Sequence, residues 1–288
     1  MEKQFKLCFM ILSLLLTLTC CTTKATGQKQ GTASLIPTDT SKPSGKTLDA
    51  IKKRGKLVAG VKYDTKLFGL IDPVTGKVEG FDVELAKALA KKIFGDETMV
   101  ELKEVTSKTR NPILPRSPML QNGKIDIIIA TMTINDERKQ QVEFTDDYFK
   151  AGQSLLVEKG SPIKGLPDIK KGTKVLAVKR STSEKKIRDK APDATVMLYD
   201  NYQDAFTALK AGKGEALTTD NAILYGMQQQ DPNYQVVGGT FTDEPYAMAV
   251  RKGDTDFLTY VNNFLKEIKV NGEYEKMYIK WFGESPSK

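Results

Sequence analysis

Two hydrophobic rhythms alternate along the chain. Residues 56–62 (KLVAGVK) and 125–129 (IDIII) are short, nearly unbroken apolar runs, the pattern of strands hidden on both faces. Residues 81–94 instead place Val83, Ala86, Leu89, Ala90 and Ile93 on one helical face, with Asp82 expected as the cap and Gly95 as the stop. The same alternation predicts strands at 99–105, 174–178, 195–198, 216–219 and 247–251. Helices are expected at 48–54, capped by Thr47 and closed by Gly55, and at 183–190, 202–211, 221–230 and 257–270. Repeated β-α-β order implies mainly parallel sheets flanked by helices, an α/β protein.

One segment repeats itself. LQNGKID (120–126) leads into a strand ending near Thr131, and LKAGKGE (209–215) leads into one ending at Thr218 and Thr219. In each, a helix closes on Gly, a Lys follows, an acid enters the strand and hydroxyls finish it. A chance match in a Lys-rich chain is the alternative to two similarly built lobes. With two lobes, both strand ends face one cleft, because ligands of open parallel sheets sit beyond the carboxyl ends of strands, where helix amides point.

Those strand ends carry the candidate chemistry. In TMTINDERKQ, Asn135 suits a helix cap and Asp136 and Glu137 suit its positive end, whereas Arg138 in the first turn opposes the dipole and calls for an anionic partner beside Thr131 and Thr133. A surface pairing of Arg138 with Asp136, Glu137 or Asp146 is the plain alternative. STSE (181–184) is a capping-box pattern directly after a strand, with Thr182 and Ser183 in its first turn and Lys179 beside it. Asp220 brings a carboxylate to another strand end, or simply caps the helix at 221–230. Lys62 and Arg110 add cations near strand ends. A free amino acid carries a carboxylate and an ammonium on one carbon, and burying both is tolerable only if each meets an opposite charge. This set of side chains supplies both.

Composition removes other possibilities. The chain has 288 residues, 40% hydrophobic, enough for one large or two modest cores. It has no histidine, and its three cysteines, 8, 20 and 21, all precede the predicted elements, so imidazole bases, Cys-His nucleophiles and structural zinc sites are excluded from the fold. No P-loop or dinucleotide fingerprint occurs, and neither cofactor nor metal is expected. Half of the net charge of +8 lies in residues 1–46, with six Lys against two acids, and no dense basic block with aromatics is present, so no nucleic acid partner is expected.

The N-terminus reads as a targeting segment. Lys3 and Lys6 precede an apolar run over 7–18, of secretory length and too short to span a bilayer. It stops at Leu18-Thr19-Cys20-Cys21, which resembles the lipobox of bacterial lipoproteins, with Cys21 as the lipidated residue, Cys20 as the alternative anchor, and an ordinary cleaved signal peptide as the other reading. Residues 22–46 are a Thr/Ser/Gly/Pro/Lys tether; some 25 such residues span roughly 25 to 30 Å. Work outside the cytoplasm, anchored to the cell membrane, is expected.

The stretches GVKYDTKLFG, GKVEGFDVELAKALAKKI, TSKTR, DIIIATMTINDERKQQVEFTDDYF, GQSLLVEKG and YEKMYIKWFG, spread over about 57–282, resemble the solute-binding proteins of ABC-type polar amino acid importers, near the glutamine, glutamate and aspartate binders. The resemblance implies a two-lobe periplasmic-binding-protein-like fold (type II) with two hinge crossings, near 148–153 and 245–248. Lobe one would take 47–150 and 247–288, and lobe two 151–246. It implies that Arg138 clamps a ligand carboxylate with Thr133 and the backbone near Thr131, that Asp220 holds the ammonium, and that Thr182, Ser183 and Lys179 add contacts. Lys62 and Arg110 match positions that neutralise a distal carboxylate in relatives taking acidic side chains, which leans toward glutamate. An insertion at 111–117 departs from the family pattern and bears on Arg110. The implied protein is a monomeric binder that delivers its ligand to a membrane permease; an enzyme of the cyclohexadienyl-dehydratase kind and a sensor for a membrane receptor are the alternatives.

Overall fold

The computed structural model describes residues 46–109 and 119–286. The cysteines, residues 22–45 of the tether, Arg110 and the 111–117 insertion lie outside the described residues, and Lys46, expected in the tether, begins the first helix.

Two five-stranded sheets dominate. The first contains β1 (Leu57–Val61), β5 (Val100–Glu104), β6 (Ile127–Ile128), β7 (Val142–Phe149) and β13 (Tyr246–Arg251), in the order β5-β1-β6-β13-β7. The second contains β8 (Gln153–Glu158), β9 (Lys174–Val178), β10 (Thr195–Tyr199), β11 (Ala216–Asp220) and β12 (Tyr234–Val237), in the order β10-β9-β11-β8-β12. A small antiparallel sheet of β2 (Asp64–Thr65), β3 (Gly69–Ile71) and β4 (Val78–Glu79) completes the strands.

The two large sheets follow one plan. Three parallel strands are followed by one that runs antiparallel to both of its neighbours, β13 in the first sheet and β8 in the second. These are the strands on which the chain enters the second sheet and returns to the first. Each reverses because it starts where the crossing lies, at the carboxyl end of the parallel trio: Gln153 pairs with Asp220, the last residue of β11. The repeated sequence segments lead into β6 and β11, the third strands of their sheets. β6 is shorter than the apolar run, although backbone bonds Asp126 N–H to Val58 and Ile129 N–H to Gly60 continue its contact with β1 at 2.8 and 2.9 Å.

Helices cover both sheets. α2 (Phe81–Phe94) and α7 (Thr255–Val270) pack on the first, with α8 (Glu273–Phe282) against both helices; α4 (Thr182–Lys190), α5 (Tyr202–Lys210) and α6 (Asn221–Gln230) pack on the second. α3 (Asp136–Lys139) is a single turn. Two expected caps are corrected. Thr47 lies inside α1 (Lys46–Arg54), where its hydroxyl donates to Asp254 and accepts from Arg251 Nη2, tying the first helix to the returning chain. Asp82 does not cap α2, whose N-cap is Gly80; its carboxylate is fully buried and serves the first sheet, as described below.

The crossings, 150–152 and 238–245, are bonded to each other; the second precedes the 245–248 expected, because β13 already begins at Tyr246 and pairs with Phe149. Ala151 accepts from the Glu244 N–H at 2.7 Å, Gln153 N–H donates to Thr242 Oγ1 at 2.9 Å, and Gln153 C=O accepts from the Phe241 N–H at 2.8 Å. Gly152 makes this approach possible, since a Cβ there would lie 2.4 Å from the Thr242 carbonyl oxygen. Beneath the crossings the Phe149 ring stacks on Tyr246 with centroids 5.6 Å apart, within an aromatic cluster that includes Phe68, Phe81, Tyr278 and Phe282.

Candidate functional site

The chain leaves β6 through a strained turn. Thr131 is fully buried with φ 48°, a left-handed conformation costly for a β-branched residue, and its N–H donates to Asp82 Oδ2 at 2.9 Å. Asp82 Oδ1 accepts from the Tyr148 hydroxyl at 2.8 Å. One buried carboxylate on α2 thus fixes both the turn after β6 and the tyrosine at the end of β7. Thr133 then bridges to Tyr246 of β13.

Arg138 is only 3% exposed, which rules out a plain surface pairing. Asn135 caps α3 by accepting from the Arg138 N–H at 2.8 Å, and Arg138 Nη1 donates to the Thr133 carbonyl at 2.7 Å. The guanidinium is thereby held at the strand end. Burying such a cation costs several kcal/mol unless an opposite charge compensates it. The open cavity beside it, of about 350 Å³, is lined from the first sheet by Asn135, Glu137 and Arg138 and from the second by residues of the β9–α4 turn, including Ser181 and Thr182.

That turn carries the capping box. Ser181 Oγ accepts from the Glu184 N–H at 3.2 Å, while Glu184 reaches back to the Arg180 N–H at 2.7 Å, one residue further than the usual partner. Ser183 is buried, its hydroxyl 2.6 Å from that of Ser181. Thr182 Oγ1 accepts from Gln153 Nε2 at 3.2 Å, while Gln153 Oε1, also buried, has no partner among the described residues. Lys179 turns outward to Asp200 at 3.0 Å with its side chain half exposed.

Asp220 holds the N-cap position of α6 without making a cap hydrogen bond. Its buried carboxylate accepts from the Tyr246 hydroxyl at 2.6 Å. Burial, then the adjacent Asp220 charge, then Tyr202 and Tyr148 raise the Tyr246 hydroxyl well above its ordinary pKa, so it stays a donor. Contacts therefore run from Arg138 through Thr133 and Tyr246 to Asp220, and from Asp220 through its strand partner Gln153 to Thr182 beside the Arg138 cavity. Lys62, 1% exposed, lies over the Tyr202 ring at 5.1 Å in the same region. Of the nine candidate residues, Lys62, Thr131, Thr133, Arg138, Thr182, Ser183 and Asp220 come together here, Lys179 points away, and Arg110 lies outside the described residues.

Comparison with known proteins decides the family. Residues 57–284 match the bacterial extracellular solute-binding proteins, family 3. The chain belongs to this family. It is 52% identical over 288 residues, all of both chains, to an ABC transporter glutamine-binding protein, GlnH, of Bacillus subtilis, and 58% identical over 217 residues, 75% of this chain and 80% of the relative, to a glutamine-binding protein of Geobacillus stearothermophilus. Among solved structures, an ancestral arginine-binding protein bound to glutamine shares 45% identity, with a TM-score of 0.72 over 80% of this chain and 99% of its own. The two-lobe architecture expected from the sequence is that of such solved amino-acid-binding proteins.

Sequence reasoning missed Asp82, Gln153 and Tyr246, whose side chains hold Thr131, Thr182 and Asp220 in place. Asp82 left one signal, an acid directly after a Gly-Phe helix start. Gln153 and Tyr246 left none, because each gains its meaning from a strand partner distant in sequence.

Proposed function

We propose that this protein captures a polar amino acid between its two lobes, with Arg138 on the carboxylate and Asp220 on the ammonium, and delivers it to an ABC-type permease. The carrying observation is that these opposite charges are both buried, come from different sheets, and are joined through Thr133 and Tyr246. The lobes are taken as 47–150 with 247–288, and 151–246. Glutamine is the favoured ligand within the glutamine, glutamate, aspartate and asparagine class, in accord with the names of the Bacillus and Geobacillus relatives described above. The protein acts by binding without chemistry, as a monomer outside the cytoplasm, held to the membrane by a lipid on Cys21, or on Cys20.

A thermal-shift screen against the twenty amino acids tests the reading. Glutamine is expected to raise Tm most; by linkage, a ligand at 100 times its Kd adds about 2.7 kcal/mol. A flat response to every polar amino acid contradicts the reading.

A further inference from the structure

Beside Tyr202, which lies near the Tyr246 hydroxyl that Asp220 holds, sits a charge pair of the protein's own. The ammonium of Lys62, buried beside the Tyr202 ring, lies 2.9 Å from Asp64 Oδ1. The other oxygen of that carboxylate accepts from the Tyr202 N–H at 3.1 Å, in the first turn of α5 on the opposite lobe, and Gln203 Nε2 donates to the Asp64 carbonyl at 2.9 Å. Thr65 Oγ1 donates to Oδ1 at 2.9 Å. Burial pushes the Asp64 carboxyl up, but the Lys62 charge, the Tyr202 N–H and the remaining donors outweigh it and hold the group below its ordinary value. Asp64 is thus ionised at neutral pH, with its charge against the positive end of α5.

The position of this carboxylate matters for any ligand. A buried ammonium with an anion already in contact offers little to a second anion, and a second carboxylate nearby meets repulsion that a screened, solvated pair would not feel. An uncharged amide meets no such repulsion.

We propose that Asp64 is the specificity-determining residue of this binding site: a carboxylate supplied by the protein that occupies Lys62, docks on the far lobe, and so admits an amide side chain while rejecting a carboxylate. The proposal rests on the amino acid reading above and weighs against the lean toward glutamate drawn from Lys62 and Arg110, because Lys62 is already paired with Asp64. Asp64 touches both lobes, so it also couples the choice of side chain to their closure.

Calorimetry with glutamine and glutamate on wild type, Asp64→Asn and Lys62→Met/Asp64→Asn tests it, with circular dichroism to confirm folding and Asp64→Ser as the second neutral variant should the amide not fit. The wild type is expected to prefer glutamine by at least tenfold. Asp64→Asn should lower the ratio of glutamate Kd to glutamine Kd by tenfold or more, and removing Lys62 as well should cancel that gain. A glutamine-preferring wild type whose ratio is unmoved in both neutral variants overturns the role of Asp64 alone. Wild type that binds neither ligand overturns the amino acid reading together with the proposal.

Discussion

The two sheets share a strand plan and diverge after their third strands. In the first, β6 gives way to a strained turn at Thr131 and then to the four-residue α3, which delivers Arg138 from an irregular segment braced by Asp82. In the second, β11 passes directly into the ten-residue α6, with Asp220 at the junction. On the proposed reading, a single helical turn has too little dipole to hold the ligand carboxylate, so the first lobe would use a side-chain cation, with Asp82 bracing the turn beneath it. The second lobe sets an acid at the positive end of a full helix, where its negative charge is stabilised.

This contrast is most sharply broken at the two poles. Arg138→Ala is expected to remove binding, a loss on the order of 3 to 5 kcal/mol as for truncating one partner of a buried charge pair. Asp220→Asn should weaken amino acids strongly while leaving their deaminated analogues nearly unchanged, because the carboxylate clamp persists. Calorimetry with both ligand types reads the asymmetry, and an equal loss for the two ligands in Asp220→Asn rejects the ammonium role.

A smaller effect separates support from contact. Asp82→Ala leaves the buried Thr131 N–H and Tyr148 hydroxyl without this acceptor, at about 1 to 3 kcal/mol for each unsatisfied group. Urea unfolding should show that loss of stability, and ligand affinity should fall as the turn below Arg138 relaxes. Unchanged stability shows that Asp82 does not brace the turn.

The smallest effect lies between the lobes. Because the folded-state pKa of Asp64 is lowered from 3.8, its carboxylate adds stability that is complete above that value and is lost as pH falls through the folded value. The Tm difference between wild type and Asp64→Asn should therefore be constant near neutrality and shrink below pH 3.8. At this chain length about 1 kcal/mol corresponds to roughly 2 to 4 °C. A difference that persists into strong acid excludes ionisation of Asp64 as its source.

How much of this was legible follows from the range of each interaction. The long periodic helices at 81–94 and 221–230 were found to the residue, because their burial is written in local spacing. Arg138 stood out because its charge opposes its helix position, a local conflict. Thr47 and Asp82 were misread as caps, since a cap and a long-range acceptor share residue type and position. Asp64 was invisible because its backbone donor lies 138 residues away, on the other lobe. The lean toward a charged ligand rested on Lys62 and Arg110 together, without the Asp64 partner of Lys62 in view.

The mutual bonding of the two crossings bears on how the lobes move. Joined at Ala151–Glu244 and at Gln153 with Phe241 and Thr242, the straps resemble a hinge with one pin more than two independent cords. Torsion in one strap is therefore passed to the other through these bonds. Gly152 lacks a side chain at the tightest point, and a methyl group there would press on the Thr242 carbonyl and the Thr240 side chain and pry the pin apart.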